Sequence, residues 1–279
     1  MSNRNPSPTN RQLLIILGIW TGIIVIMISL MISFVSLLAD WAITHIPISW
    51  EQKLGELIVP VYEQKAKDSP QQEILNNLLD RLESQLNNKL LKNRDYRVIY
   101  IPEKNVNAFA IPGDVIGIFE GLVKEVKSEN ELMMILGHEL GHFANRDHLR
   151  NLGKTLAIRV AIASLFGDNA TLANSVGVVI ETISNARYSQ EQEYQADEFG
   201  LILLNKTYGH VTGATDFFKN FKEKENLGWD FFSSHPAGNK RVKRLEKLIK
   251  QKQYKLGEYS DLELNLQFSD QEFRKYKQR

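Results

Sequence analysis

Leu13 to Ala39 carries no charged side chain. As a helix at 1.5 Å per residue this run is about 40 Å long, more than the roughly 30 Å hydrocarbon core of a bilayer requires. A helix satisfies all its own backbone hydrogen bonds, so it is the form such a segment takes in lipid. Trp20 lies inside the run, and Asp40-Trp41 marks its far interface. A cleaved signal peptide has a shorter apolar region that ends in small residues. Here Ile32, Phe34, Val35 and Leu37 continue nearly to the end. A buried soluble helix is equally poor as a reading, because a helix this long and apolar on every side does not fit a small core. The run is therefore expected to be an uncleaved transmembrane anchor over residues 12–39. Residues 1–11 contain Arg4 and Arg11 and no acid, whereas Asp40, Glu51, Lys53 and Glu56 follow the run. The positive-inside rule then predicts a single-pass membrane protein with residues 1–11 in the cytoplasm and the remainder outside it, periplasmic or lumenal.

What remains is enough for one sizeable domain. We expect a linker over 40–49, the domain over 50–254 and a C-terminal tail over 255–279. Lys and Arg number 34 against 33 Asp and Glu, so charge gives no argument for nucleic acid as a partner. Cysteine is absent, which excludes disulfides, cysteine-based metal sites and a thiol nucleophile. The sequence leaves the oligomeric state open.

Trp50 to Lys65 and Gln71 to Leu91 have helical periodicity, with Leu75, Leu78, Leu79, Leu82, Leu86 and Leu90 on one stripe. Tyr96 to Ile101 alternates and is β-branched, which predicts a strand. Val106 to Ile111 predicts a second, closed by Pro112-Gly113, and Asp114 to Phe119 a third. Thr155 to Phe166 and Thr171 to Ile183 are apolar but interrupted by Arg159 and by Gly167-Asp168-Asn169, so each is short for a span and is expected to be buried or to graze the membrane. Gly213 to Lys224 and Lys240 to Lys252 read as surface helices, the second carrying a basic face of the kind that is usually solvated. The class expected is mainly α with a small β-sheet, α+β.

His138-Glu139-Leu140-Gly141-His142 reads HExxH. Two histidines four apart on a helix lie one turn above each other, so both imidazoles reach one metal ion. The glutamate between them suits a general base acting on water at that metal. Ser128 and Glu131 make a capping box ahead of it. Leu132, Ile135, Leu136, Leu140 and Phe143 follow at helical spacing, as in a buried helix.

A catalytic zinc takes three protein ligands and keeps one open position. His148 would complete HExxHxxGxxH, with Asn145 in place of the glycine. That pattern belongs with a downstream methionine turn, and no methionine follows Met134. Glu193 is the other candidate. Asp197, four residues on, shares its helix face and is placed to accept the second N–H of a ligand histidine. Glu191 is adjacent but would point the other way, and an acidic, solvated helix face is the plain alternative for the whole stretch.

Taken together these residues resemble metallopeptidase family 48, the HtpX-like and CAAX prenyl protease-like zinc endopeptidases. Asn107-Ala108-Phe109-Ala110-Ile111-Pro112-Gly113 resembles the family's Asn-Ala-x-x-x-Pro-Gly-Gly strand and turn, and Asn145-Arg146-Asp147 resembles the HtpX-like continuation of the metal helix. Ser189, Glu193, Ala196 and Asp197 are similar to its Ser-Arg-x-x-Glu-x-x-Ala-Asp element. His235-Pro236 with Arg241 is similar to a later His-Pro and Arg element, and Trp50 to Gly55 to an entry helix. The likeness covers roughly residues 50 to 250. Gln190 stands where the family usually has arginine, and Asp114 where its second glycine usually is.

The resemblance implies a gluzincin-type zinc metalloprotease domain with one Zn2+ held by His138, His142 and Glu193, and Asp197 behind a histidine. It implies Glu139 as general base, His235 and Arg241 near the metal as catalytic candidates, and Asn107, Ala108, Phe109 and Ala110 as the strand that receives polypeptide substrate. His235 could equally close the open metal position. The expected function is a membrane-anchored endopeptidase acting on misfolded or damaged proteins. The alternatives are a zinc-bound holdase that does not cut, and a CAAX-type processing protease, whose known members carry many more spans.

Overall fold

A computed structural model describes residues 9–66, 69–87, 91, 94–166, 175–220, 230–236 and 238–262. Helix α1, Asn10–His45, opens with a capping box between Thr9 and Gln12. Its apolar side chains are exposed around the whole circumference, from Leu13 to Leu38. Asn10–Phe34 is 25 residues long and apolar enough to cross a membrane, and none of it is buried against protein.

The expected linker over 40–49 is instead mostly helix. α1 runs on to His45, and α2, Ile48–Glu63, begins after a two-residue break. The reason is docking. Asp40 pairs with Arg150 at 3.2 Å and Lys154 at 3.4 Å. Arg146 Nη1 donates to the carbonyls of Ile43 at 2.8 Å and Ile46 at 2.6 Å, which α1 itself leaves open at its end. Ile43 is buried, 3.1 Å from where a Cβ on Gly153 would sit.

α3, Pro70–Glu83, precedes the sheet and ends earlier than its leucine stripe suggested. The three expected strands form as β1 (Arg97–Ile101), β2 (Ala108–Ile111) and β3 (Val115–Phe119). Their order is β1-β3-β2, with β3 parallel to β1 and antiparallel to β2. The period-2 alternation divides the sheet between two cores. Val98, Tyr100, Ala108, Ala110, Ile116 and Ile118 face one, together with α3 and the helices of the site. Ile99, Ile101, Phe109, Ile111 and Val115 face the other, against Ile58, Val59 and Tyr62 of α2. The β2–β3 turn needs positive φ at Gly113 (93°) and Asp114 (65°). Asp114 takes the place of a more permissive glycine because its carboxylate is fixed by Arg94 Nε at 2.5 Å.

The chain continues through α4 (Glu120–Glu125), α5 (Glu129–Ala144), α6 (Asp147–Phe166), α7 (Ser175–Ser184), α8 (Gln190–Tyr208), α9 (Asp216–Asn220), α10 (Asp230–Ser234) and α11 (Gly238–Gln251). Residues 171–174 and 221–224 of the expected helices lie outside the described residues. The helices expected at the surface each bury a face: Phe217 and Phe218 on α9, Arg241 and Leu245 on α11. Part of the expected tail is packed as well, since Ser260 bonds Asn130 and Glu129 at the start of α5, and Leu262 is buried.

Glu51 of α2 joins these layers. One carboxylate oxygen pairs with Arg94 and with His148 Nε2 at 2.8 Å, and the other lies 3.4 Å from Arg146. Burial opposes its charge, but His148 and Arg94 outweigh this and hold the carboxyl at about 2. A carboxyl depressed in the folded state contributes stability above its unfolded pKa, and that contribution is lost as pH falls through the folded value. Denaturant titrations should therefore show this contribution fading between roughly pH 4.5 and 2. Glu51→Gln should cost about 3–5 kcal/mol at pH 7, because it strands buried cations.

Candidate metal centre

The site is made where α5 and α8 cross in very close contact. A Cβ added to Gly137 would lie 3.0 Å from Gly200 Cα, and one added to Gly141 would lie 2.7 Å from Ala196 Cα. Gly137 meets Gly200 and Gly141 meets Ala196, so the helices run antiparallel. His138 is thereby set beside Asp197, and His142 beside Glu193. The N-terminus of α5 is capped as expected by Ser128, whose Oγ accepts from Glu131 N at 3.2 Å. The Glu131 carboxylate reaches back in turn, accepting from Lys127 N at 2.5 Å.

His138, His142, Glu193 and His235 each offer one ligand atom to a common point, all within 4.8 Å of one another and all buried. His138 Nε2 is 3.2 Å from His142 Nε2, and 3.2 Å from His235 Nδ1. His235 Nδ1 is 3.4 Å from His142 Nε2 and 3.1 Å from Glu193 Oε1. Glu193 oxygens lie 3.6 Å and 3.5 Å from the Nε2 atoms of His138 and His142. A tetrahedron with bonds of about 2.0–2.1 Å has edges of about 3.3–3.4 Å, so these separations fit a zinc-sized tetrahedral cation.

Both rings also have a carboxylate behind them. His138 Nδ1 is 3.0 Å from Asp197 Oδ1, and His142 Nδ1 is 3.0 Å from Asp147 Oδ2. Each carboxylate is placed to accept an Nδ1–H, the tautomer in which Nε2 is free for a metal. Burial opposes the charge of His142, but Asp147 and Glu193 outweigh it and raise its pKa to about 9, so a proton and a metal compete for the space between the two Nε2 atoms. Glu139 is fully buried, and neither of its carboxylate oxygens has a hydrogen-bond partner among the described residues. Its nearest ionic neighbour is His235 Nε2, at 3.6 Å.

The other expected residues fall as follows. Arg241 is buried with Nε 2.7 Å and Nη2 2.5 Å from the two oxygens of Asp197, and it also pairs with Glu193. Burial disfavours the Asp197 charge, but Arg241 outweighs this and holds the carboxyl below its usual range. Arg241 thus grips both carboxylates, and its Nη1 also donates to the His235 carbonyl at 3.4 Å. His148 is turned to Glu51 and is not among the grouped ligands. Glu191 is exposed and bonds Gln195. Asn107 to Ala110 lie on β2, the strand beside α5, with Asn107 itself just ahead of it.

Two residues of the site carried no role from sequence. Tyr188 stacks on the His142 ring, 3.8 Å between centroids at 14°. Asp147 holds His142 from just beyond the end of α5. Neither lies at a periodic position, and only the Asn145-Arg146-Asp147 string hinted at the second.

A HExxH helix completed by a glutamate from a second helix, with an acid behind the first histidine, is the arrangement of a gluzincin-type metallopeptidase. The model of Peptidase family M48 matches residues 70–249, and the chain belongs to that family. It is 36% identical over 149 residues to metalloprotease LoiP of Escherichia coli K12, covering 51% of this chain and 58% of that one. It is 31% identical over 150 residues to metalloprotease YcaL of the same organism, covering 52% and 59%. Mitochondrial metalloendopeptidase OMA1 of Arabidopsis thaliana is 31% identical over 156 residues, covering 56% and 32%. The chain spans between about a third and three fifths of the length of these relatives.

Because the helix contact sets the ligand distances, Gly141→Ala should weaken metal binding and lower stability by about 1–3 kcal/mol. Metal analysis and thermal melts of the purified variant test this, and unchanged values would mean the helices have slack at the site.

Proposed function

We propose that the chain is a membrane-anchored zinc endopeptidase that cuts extended segments of unfolded or damaged proteins. The observation that carries this is the pairing of a cation-sized His138–His142–Glu193 focus with a buried Glu139 beside it, whose carboxylate has no hydrogen-bond partner among the described residues. The donor set of two imidazoles and a carboxylate suits zinc. Bound there, zinc supplies Lewis acidity for a carbonyl and for water.

The remaining work falls to the chain's own residues. Glu139 accepts a proton from the water that attacks the scissile carbonyl and returns it to the leaving amine. Asp197 and Asp147 keep the histidines in the tautomer that presents Nε2, and Arg241 braces Asp197 and Glu193. β2 is an edge strand, and Asn107 Oδ1 is buried with no hydrogen-bond partner among the described residues. An extended substrate added along this edge is read by its backbone, which favours unfolded chains over a particular sequence. The exposed apolar α1 supports anchoring, and the two arginines of residues 1–11 support a cytoplasmic N-terminus with the catalytic domain on the other side.

His235 is best read as a latch. Its Nδ1 is 3.2 Å from His138 Nε2 and 3.1 Å from Glu193 Oε1, so it would compete with water or substrate for a metal held there, and Phe231 N bonds Val106 O at 2.9 Å, so the same segment sits against the upstream end of the proposed substrate strand. Activity then requires this segment to swing away. The CAAX-type reading is not favoured, since among the described residues one helix is long and apolar enough to cross a membrane.

Purified protein should degrade unfolded casein, and a chelator should stop it. Binding without cutting would leave the holdase reading. Glu139→Gln should keep its metal while turnover drops at least ~10²-fold, and normal turnover would end the proposed mechanism. His235→Ala should raise peptide turnover several-fold. A fall of ~10²-fold would instead assign the ring to transition-state stabilisation.

A further inference from the structure

His138 and His142 are held by carboxylates that belong to different layers of the molecule. Asp197, behind His138, sits on α8 and is braced by Arg241 of α11. Asp147, behind His142, is the first residue of α6, the helix on which the membrane helix is docked. Asp147 is 2% exposed and both its oxygens are committed. Oδ2 faces His142 Nδ1 at 3.0 Å, and Oδ1 accepts from Gln192 Nε2 at 2.8 Å. Gln192 immediately precedes the ligand Glu193, and its Oε1 accepts from Ser189 N to close the capping box of α8. One carboxylate therefore ties together the two helices that carry the ligands.

The residue before it grips the membrane helix. Arg146 turns the chain from α5 into α6 with φ of 57°, a conformation that leaves a non-glycine residue little freedom. Its guanidinium takes the terminal carbonyls of α1 at Ile43 and Ile46 and lies 3.4 Å from Glu51. One and two turns further along α6, Arg150 and Lys154 pair with Asp40. A shift of α1 against α6 thus pulls on a side chain one peptide bond from Asp147. No comparable contact joins α1 to Asp197 or Arg241 among the described residues.

We propose that Asp147 is a positioning residue for His142, and that through Arg146 the docking of the membrane helix sets how tightly the centre holds its metal. The proposal rests on the zinc reading above. It makes the metal site responsive to strain or tilt at the membrane interface, through one of its two histidines and not the other.

The test uses the full chain in lipid nanodiscs. Zinc affinity is measured by competition with a chromophoric chelator, the d–d spectrum of the cobalt-substituted form reports ligand geometry, and thermal melts of the metal-free protein control for folding. Asp147→Asn should weaken zinc binding about 10- to 100-fold and shift the cobalt spectrum, while the metal-free melt stays close to the parent. Arg146→Gln should weaken zinc binding at least about 5-fold. The double variant should lose less than the product of the two, because both act through one carboxylate. Asp40→Lys, at a partly exposed position facing Arg150 and Lys154, should act in the same direction and serves if Arg146→Gln does not fold. Parental affinity and cobalt spectrum in Asp147→Asn would overturn the positioning role. Unchanged affinity in Arg146→Gln and Asp40→Lys, or strictly multiplicative losses in the double variant, would overturn the coupling. Failure of the parent itself to bind zinc would sink the metal reading instead, and the two failures are thereby distinguishable.

Discussion

Everything at the centre depends on two imidazole Nε2 atoms being held 3.2 Å apart inside protein. Neither histidine can turn away, because Asp197 and Asp147 each hold the other ring nitrogen at 3.0 Å. The carboxylates in turn are held by Arg241 and Gln192. Buried, such a cluster is costly unless its lone pairs and charges are satisfied by protons or by a cation. Folding energy from the cores on either side of the sheet is what keeps the donors together, and the metal's binding energy repays it.

The close crossing of α5 and α8 is the geometric condition for this. With ordinary side chains at 137, 141, 196 and 200 the helices would stand further apart, and Glu193 would not reach the histidine pair. The glycines at 137, 141 and 200 cost helix propensity in return for distance, whereas Ala196 costs none. The same economy of space recurs at the turn from α5 into α6, where Arg146 and Asp147 connect two unrelated demands, the seat of the long apolar helix α1 and the orientation of His142.

Much of this was legible in the chain. The HExxH helix and the three strands announce themselves through local periodicity and the long apolar helix through its uncharged run, and each forms close to where it was expected. Glu193 and Asp197 were legible as a pair sharing one helix face, and the resemblance to family members gave them a purpose. The expected linker at 40–49 failed for an instructive reason. Local composition there looks like a junction, but Arg146, Arg150 and Lys154, about 100 residues away in sequence, hold the end of the helix. Arg241 likewise read as part of a surface helix or as a catalytic donor, and only its contacts with Asp197 and Glu193 show it to be a buried brace.

The sequence by itself determined which residue types are available to a metal and which helix presents two of them, because an i, i+4 pair needs nothing beyond its own helix to meet. It also determined that a long uncharged segment precedes the domain. Tertiary structure alone decided that Glu193 rather than His148 or Glu191 is brought beside the pair, that His235 belongs to the same cluster, and that Asp147 and Tyr188 frame His142. Those outcomes depend on how separate helices pack, and side-chain directions across a packed interface are not encoded in any local period.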